Sequence, residues 1–155
     1  MPDASNGRVV VGVDGSEEAR RALAWALDEA RLRKWVVVAV HAYMIPPLLM
    51  APEPMPVGPP TVPDPRLIEQ LEERAEKLVA DELEQADTSG VDVEGRVASG
   101  AAADVLLQAA QDADLLVVGT RGRGGFAGLL LGSVSGQVAH HAQCPVVIVP
   151  SARER

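Results

Sequence analysis

The residues that could do chemistry crowd into one stretch, Gly119-Thr120-Arg121-Gly122-Arg123-Gly124-Gly125-Phe126-Ala127-Gly128-Leu129-Leu130-Leu131-Gly132-Ser133-Val134-Ser135-Gly136. Seven of these are glycine, and glycine lets a backbone take positive φ and approach a ligand closely. Arg121 and Arg123 bring charge-assisted donors suited to phosphate. Ser133 and Ser135 stand where a helix is predicted to begin. A helix N-terminus carries unpaired N–H groups and the positive end of the dipole, which together attract anions. Glycine loop, arginines, hydroxyls and helix end converge on a polyphosphate cradle, in preference to a flexible loop with solvated arginines.

The familiar phosphate motifs do not account for this stretch. A Walker A loop needs Gly-Lys followed by Ser or Thr, and the only lysines are Lys34 and Lys77. A P-loop NTPase is therefore excluded. Gly122-Arg123-Gly124-Gly125-Phe126-Ala127 fits a loose dinucleotide fingerprint, but that fingerprint belongs on the first strand–helix turn and opens a helix at once. A second candidate is Asp14, in Val13-Asp14-Gly15-Ser16. It can accept N–H groups of a turn, as Asx turns do. Equally, it can face a ligand crevice, where it would bind ribose or adenine or help to hold a divalent cation.

Other reactive residues read as structural. His140 and His141 are adjacent on a predicted helix, so they point about 100° apart and cannot chelate one metal together. His41 ends an apolar run and suits a hydrogen-bonded structural role. Cys144 reads as a packed thiol. There is no Gly-x-Ser-x-Gly elbow, and Ser133 and Ser135 have no evident base, which disfavours hydrolytic nucleophiles. Trp25 and Trp35 anchor the first helix. Glu69, Glu72, Glu73 and Glu76, interleaved with Arg74 and Lys77, form a solvated helix face.

The elements that must position these residues follow from hydrophobic patterning. Val9-Val10-Val11-Gly12-Val13, Val36-Val37-Val38-Ala39-Val40, Leu115-Leu116-Val117-Val118 and Val146-Val147-Ile148-Val149 are continuous apolar runs of strand length. Such strands are buried on both faces, as in a parallel sheet covered by helices. Val91-Asp92-Val93-Glu94-Gly95-Arg96-Val97 alternates instead and reads as a half-exposed strand near a sheet edge. Four helices fall between the runs. The first is capped by Ser16 and turns Ala19, Leu23, Ala26, Leu27 and Ala30 inward. The second runs from about Pro65 to Ala86, with Asp64 as cap, proline in its first turn and a stripe of Leu67, Leu71, Ala75, Leu78 and Leu83. The third covers about Ala102 to Ala110, with Val105, Leu106 and Ala109 inward. The fourth starts near Ser133, buries Val134, Val138, Ala139 and Ala142, and stops before Pro145. Strictly alternating strands and helices predict an α/β domain with right-handed crossovers and a mainly parallel sheet. Ligands then bind beyond the C-terminal strand ends, where the strand order reverses. Residues 46–65 hold nine of the twelve prolines, so the segment 44–63 reads as a surface loop, with a lid as the sharper alternative.

Length and composition set the outer bounds. The chain has 155 residues, the size of one ordinary domain, with its core expected over about 8–150. Hydrophobic residues make up 47% and charged residues 23%, which excludes global disorder. The net charge of −8 repels phosphate backbones, so nucleic-acid binding is disfavoured. A single cysteine cannot form an internal disulfide, which suits a reducing compartment. No signal core and no run of about 20 apolar residues is present. These features point to the cytoplasm and away from the membrane.

On these residues the chain resembles the universal stress proteins. Their ATP-binding members carry Gly, two residues, Gly, nine residues, then Gly-Ser or Gly-Thr. Gly119, Gly122, Gly132 and Ser133 match that spacing without a gap. Asp14 after the first strand, His41 in Val40-His41-Ala42, and Cys144-Pro145-Val146 before the last strand match as well. The resemblance spans about Arg8 to Pro150. It implies a three-layer, Rossmann-like sheet of five mainly parallel strands in the order 3-2-1-4-5. It further implies ATP with Mg²⁺ at the strand ends: Gly12 and Asp14 by the nucleoside, Ala42 at the adenine, and Val118 and Gly119 flanking base and ribose. Gly122, Gly132, Ser133, Val134 and Ser135 would hold the phosphates. Arg121 and Arg123 are added on electrostatic grounds. No direct metal ligand is assigned, although Asp14 could reach Mg²⁺ through water. Members of the family are usually homodimers joined through the last strand. The apolar Val146, Val147, Ile148 and Val149 at a sheet edge would favour such pairing.

The resulting expectation is a homodimeric, ATP-binding stress sensor or regulator. Competing readings are a slow ATPase on the same scaffold, for which no general base is visible, and a cyclic-AMP-binding protein. A purely structural interaction protein would leave the glycine loop unexplained.

Overall fold

The computed structural model describes residues 7–46, 64–121 and 131–152. Gly122, Arg123 and all but the first three residues of the proline-rich segment lie outside these. Nine elements follow one another: β1 (Arg8–Gly12), α1 (Glu17–Arg33), β2 (Val36–Tyr43), α2 (Pro65–Gln85), β3 (Val93–Ser99), α3 (Ala102–Ala109), β4 (Leu115–Gly119), α4 (Ser133–His141) and β5 (Val146–Val149). The five strands form one sheet in the order β3-β2-β1-β4-β5, and every neighbouring pair is parallel. Fold class and strand order therefore match the expectation from sequence.

The apolar runs behave as doubly buried strands. Val9 and Val11 point into one core layer with Leu23, Ala26 and Leu27 of α1 and Val79 of α2. Val10, between them, points into the other layer with Val105 and Leu106 of α3 and Val138 of α4. This alternation is the period-two geometry of a strand with helices on both faces. The alternating segment forms β3 at a sheet edge, with Val93 and Val97 half-buried and its polar residues exposed. Trp25 and Trp35 pack against the first core layer beside α1.

Helix starts follow local chemistry. Ser16 Oγ accepts from the Ala19 N–H at 3.2 Å and caps α1. Asp64 Oδ1 accepts from the Arg66 N–H at 3.0 Å, and Pro65 opens α2. Both acceptors satisfy N–H groups that a helix start leaves without an internal partner.

The inward faces of α2 and α4 differ from the predicted stripes. Leu67, in the first turn of α2, is 44% exposed. Val79 and Glu82 are buried on that helix in its place. Glu82 is tolerated inside because the Arg20 Nε donates to both of its carboxylate oxygens at 3.2 Å. In α4, Ala139 is exposed and Ser135 is buried. The inward face of this short helix is thus set by Ser135 and Val138, spaced by three.

Candidate functional site

The strand order turns between β1 and β4: the chain runs outward from β1 through β2 to β3, then returns to the centre. The C-terminal ends of β1, β2 and β4 meet at this switch point. A recess opens there, at the place where open α/β sheets bind ligands. It is lined by Gly12, Val13, Asp14, Ser16 and Ala19 around β1 and the start of α1. Val40, His41 and Ala42 of β2 form a second wall, and Ala102 and Leu106 of α3 close another side. Val118, Gly119, Arg121 and Val134 complete it.

Glycine is required in this frame for close approach. A Cβ on Gly12 would sit 3.0 Å from Leu106 Cδ1 and 3.7 Å from Val118 Cγ1. At Gly119 a Cβ would stand 3.0 Å from the Glu18 Cβ and 3.1 Å from its carbonyl carbon and oxygen. Gly119 thereby lets the first turn of α1 pack on the end of β4.

The turn after β1 is tied down from both sides. The Val13 N–H donates to the Val40 carbonyl at 2.9 Å. His41 Nδ1 lies 2.8 Å from the Val13 carbonyl oxygen. Asp14 Oδ1 accepts from the Ser16 N–H at 2.9 Å. Asp14 thus makes an Asx-type turn and lines the recess at once, so its two readings are compatible.

At the far end, α4 begins beside β4. Its N-cap is Gly132, which has no side chain to cap the first turn. The Gly132 N–H donates to the Thr120 carbonyl at 2.6 Å, and Ser135 Oγ donates to the same oxygen at 2.8 Å. The Ser135 hydroxyl is therefore turned into the protein. The same hydroxyl lies 3.1 Å from the Gly132 carbonyl oxygen. Ser133 is exposed at the helix start and Val134 lines the recess. Arg121 lines the recess while its Nη2 donates to the Ser151 hydroxyl at 3.2 Å.

Of the sequence-nominated residues, Gly12, Asp14, Ala42, Val118, Gly119, Arg121 and Val134 come together around the recess. Gly132, Ser133 and Ser135 stand next to it at the start of α4. Gly122 and Arg123 lie outside the described residues. The recess walls missing from the sequence reading are Val13, Ser16, Ala19, Val40, His41, Ala102 and Leu106. Nearness to the C-terminal end of a strand is a usable signal for Val13, Ser16, Val40 and His41. No local signal points to Ala102 or Leu106, which arrive from a helix distant in sequence.

Among the described residues Asp14 is the one carboxylate on the recess, and they contain no group of three or more candidate metal ligands. This donor set suits a Mg²⁺ held mainly by phosphate and water. His140 and His141 are both exposed, with ring centroids 6.4 Å apart. Cys144 packs against the second core layer, and burial pushes its thiol pKa up. Among the described residues, no helix is long and apolar enough to cross a membrane.

Comparison with known proteins places these features in context. The model of the "Universal stress protein family" matches residues 5–150. A universal stress protein of Mycolicibacterium smegmatis is 39% identical over 147 residues, covering 91% of this chain and 45% of that protein. The chain spans about half the length of this and several other curated relatives. Among solved structures, a universal stress protein in complex with cAMP is 30% identical, with a TM-score of 0.57 over 92% of this chain and 95% of that one. The universal stress protein from Archaeoglobus fulgidus in complex with dAMP is 26% identical, with a TM-score of 0.54 over 92% of this chain and 97% of that one.

Proposed function

The chain belongs to the universal stress protein family, and from that membership we propose that it binds ATP, with Mg²⁺, in the recess at the ends of β1, β2 and β4. The observation that carries this reading is the meeting of three unlike features. An apolar slot between Ala42, Leu106 and Val118 suits a flat base. Asp14 borders the slot where a ribose would lie. The start of α4, capped only by glycine, offers N–H groups to phosphates. The complexes of relatives with cAMP and dAMP support an adenine nucleotide as the ligand class. The gap-free spacing of Gly119, Gly122, Gly132 and Ser133 favours a polyphosphate.

In this reading Ala42, Val118 and Leu106 hold the base, Gly12 and Asp14 the nucleoside, and the backbone of Gly132, Ser133, Val134 and Ser135 the phosphates. Gly122 and Arg123 would contribute from the glycine loop. Mg²⁺ would offset phosphate charge, held by the nucleotide and through water by Asp14. No residue is assigned as a general base, so the protein acts as a cytoplasmic sensor or regulator whose state is nucleotide occupancy. Two copies pair through β5, whose half-buried Val146, Val147 and Ile148 lie at the sheet edge.

A second reading, cyclic AMP as the ligand, is favoured by the cAMP complex of the relative at 30% identity. Purification without added nucleotide, denaturation and mass spectrometry of the released small molecules separates the two. ATP or ADP near one per chain supports the first. Cyclic AMP supports the second. An empty protein that shows no heat with either ligand in titration calorimetry contradicts both.

A further inference from the structure

We propose that His41 is a positioning residue that fixes Asp14 at the mouth of the recess. The ladder between β1 and β4 ends at the Val11–Val117 pair, and that between β1 and β2 at Gly12–Val40. Val13 and Asp14 therefore leave the sheet with no strand pairing of their own. Both polar groups of the Val13 backbone are nevertheless held by β2. Its N–H donates to the Val40 carbonyl at 2.9 Å, and its carbonyl lies 2.8 Å from His41 Nδ1. A carbonyl can only accept, so the proton sits on Nδ1 and the imidazole is the donor. The peptide that leads into Asp14 is thus clamped at both ends.

The clamp is the first of three linked contacts. Asp14 Oδ1 accepts from the Ser16 N–H at 2.9 Å, and Ser16 Oγ accepts from the Ala19 N–H at 3.2 Å. His41, Val13, Asp14 and Ser16 all line the recess, so this series forms one wall of it. Without the imidazole the Val13 carbonyl loses its side-chain donor, and the turn holding Asp14 loses one of the contacts that fix it. A ligand would then have to order this wall on binding, which weakens affinity.

The inference rests on the nucleotide reading of the recess, and the test keeps the two apart. His41→Asn places an amide N–H near the position of the imidazole Nδ1, whereas His41→Leu keeps bulk and removes the donor. Calorimetric titration with Mg-ATP is expected to show roughly tenfold weaker binding for His41→Leu. The Asn variant is expected to recover most of the wild-type affinity. Amide hydrogen exchange on the ligand-free proteins reads the clamp without any nucleotide. Ser16 is expected to lose protection in the Leu variant and keep it in the Asn variant, with exchange in β4 unchanged. Wild-type protection of Ser16 in the Leu variant overturns the proposal, as does wild-type affinity in that variant. If the unaltered chain binds no nucleotide, the function assigned to the recess fails, and the exchange comparison still decides whether His41 fixes the Asp14 turn.

Discussion

The buried hydroxyl of Ser135 donates to the backbone carbonyl of Thr120 across 2.8 Å, tying the first turn of α4 to the end of β4. The Gly132 N–H reaches the same oxygen at 2.6 Å. One carbonyl therefore gathers the chain on the two sides of the glycine loop. It holds the start of α4 beside the end of β4, next to the recess that Val134 and Gly119 line.

Removing this hydroxyl has a measurable cost. Ser135→Ala is expected to lower stability by about 1 kcal/mol, the net value of one buried hydrogen bond, because the Gly132 N–H still satisfies the carbonyl. Urea denaturation reads the change. Ser133→Ala, at an exposed neighbour on the same turn, is expected to stay within about 0.5 kcal/mol of the wild type.

Two glycines of the same region respond in opposite senses. At Gly119 a Cβ would stand 3.1 Å from backbone atoms of Glu18, which cannot rotate away. Gly119→Ala is expected to cost about 1–3 kcal/mol through displacement of α1. At Gly136, inside α4, a Cβ would meet nothing within 4 Å. Gly136→Ala is expected to stabilise by roughly 0.5–1 kcal/mol through helix propensity. Thermal unfolding of the pair separates them by sign.

The ion pair between α1 and α2 matters because one partner is inside. Glu82 is 5% exposed, and Arg20 reaches both of its oxygens. Arg20→Ala leaves that carboxylate buried without its cation and is expected to lower stability by about 1–3 kcal/mol. Lys77→Ala breaks an exposed pair with Asp81 and is expected to leave the denaturation midpoint in place.

Cys144 offers a test of burial by reactivity. Desolvation raises its thiol pKa, and the Asp114 carboxylate adds to the shift. A raised pKa means less thiolate at any given pH, and the thiolate is the nucleophile. Native protein at pH 8 is expected to react with an alkylating reagent several times more slowly than urea-unfolded protein. Equal rates would show that the thiol is neither shielded nor shifted.

Pairing through β5 predicts that a charge on that strand separates the copies. Val147→Lys is expected to convert a dimer to a monomer in light scattering while circular dichroism stays unchanged. A dimer that survives the substitution would place the interface elsewhere.

Much of this arrangement is legible in the sequence because the sheet is buried on both faces. Val9 to Val13 and Leu115 to Val118 read as strands with no pattern but continuity, and the caps at Ser16 and Asp64 are local signals. What escapes is set by tertiary contact. Glu82 reads as part of an acidic helix, and its burial depends on Arg20, sixty-two positions earlier. Leu67 reads as core, yet it stands exposed on the first turn of α2. Ser135 reads as part of a helix start, and its bond to the Thr120 carbonyl joins residues fifteen positions apart. The recess is half legible for the same reason. Asp14 just after β1, Ala42 near the end of β2 and Gly119 at the end of β4 can be located by order alone, whereas Leu106 reaches the recess from a helix on one face of the sheet.

The central claim is that Mg-ATP occupies the recess between β1, β2 and β4. Amide chemical-shift mapping during a titration with Mg-ATP tests it most directly. Saturable shifts confined to residues 12–14, 41–42, 118–121 and 132–135 are expected, with α2 and β3 unmoved. Saturable shifts centred on the groove between α1 and α2, or no shifts at millimolar nucleotide, would contradict it.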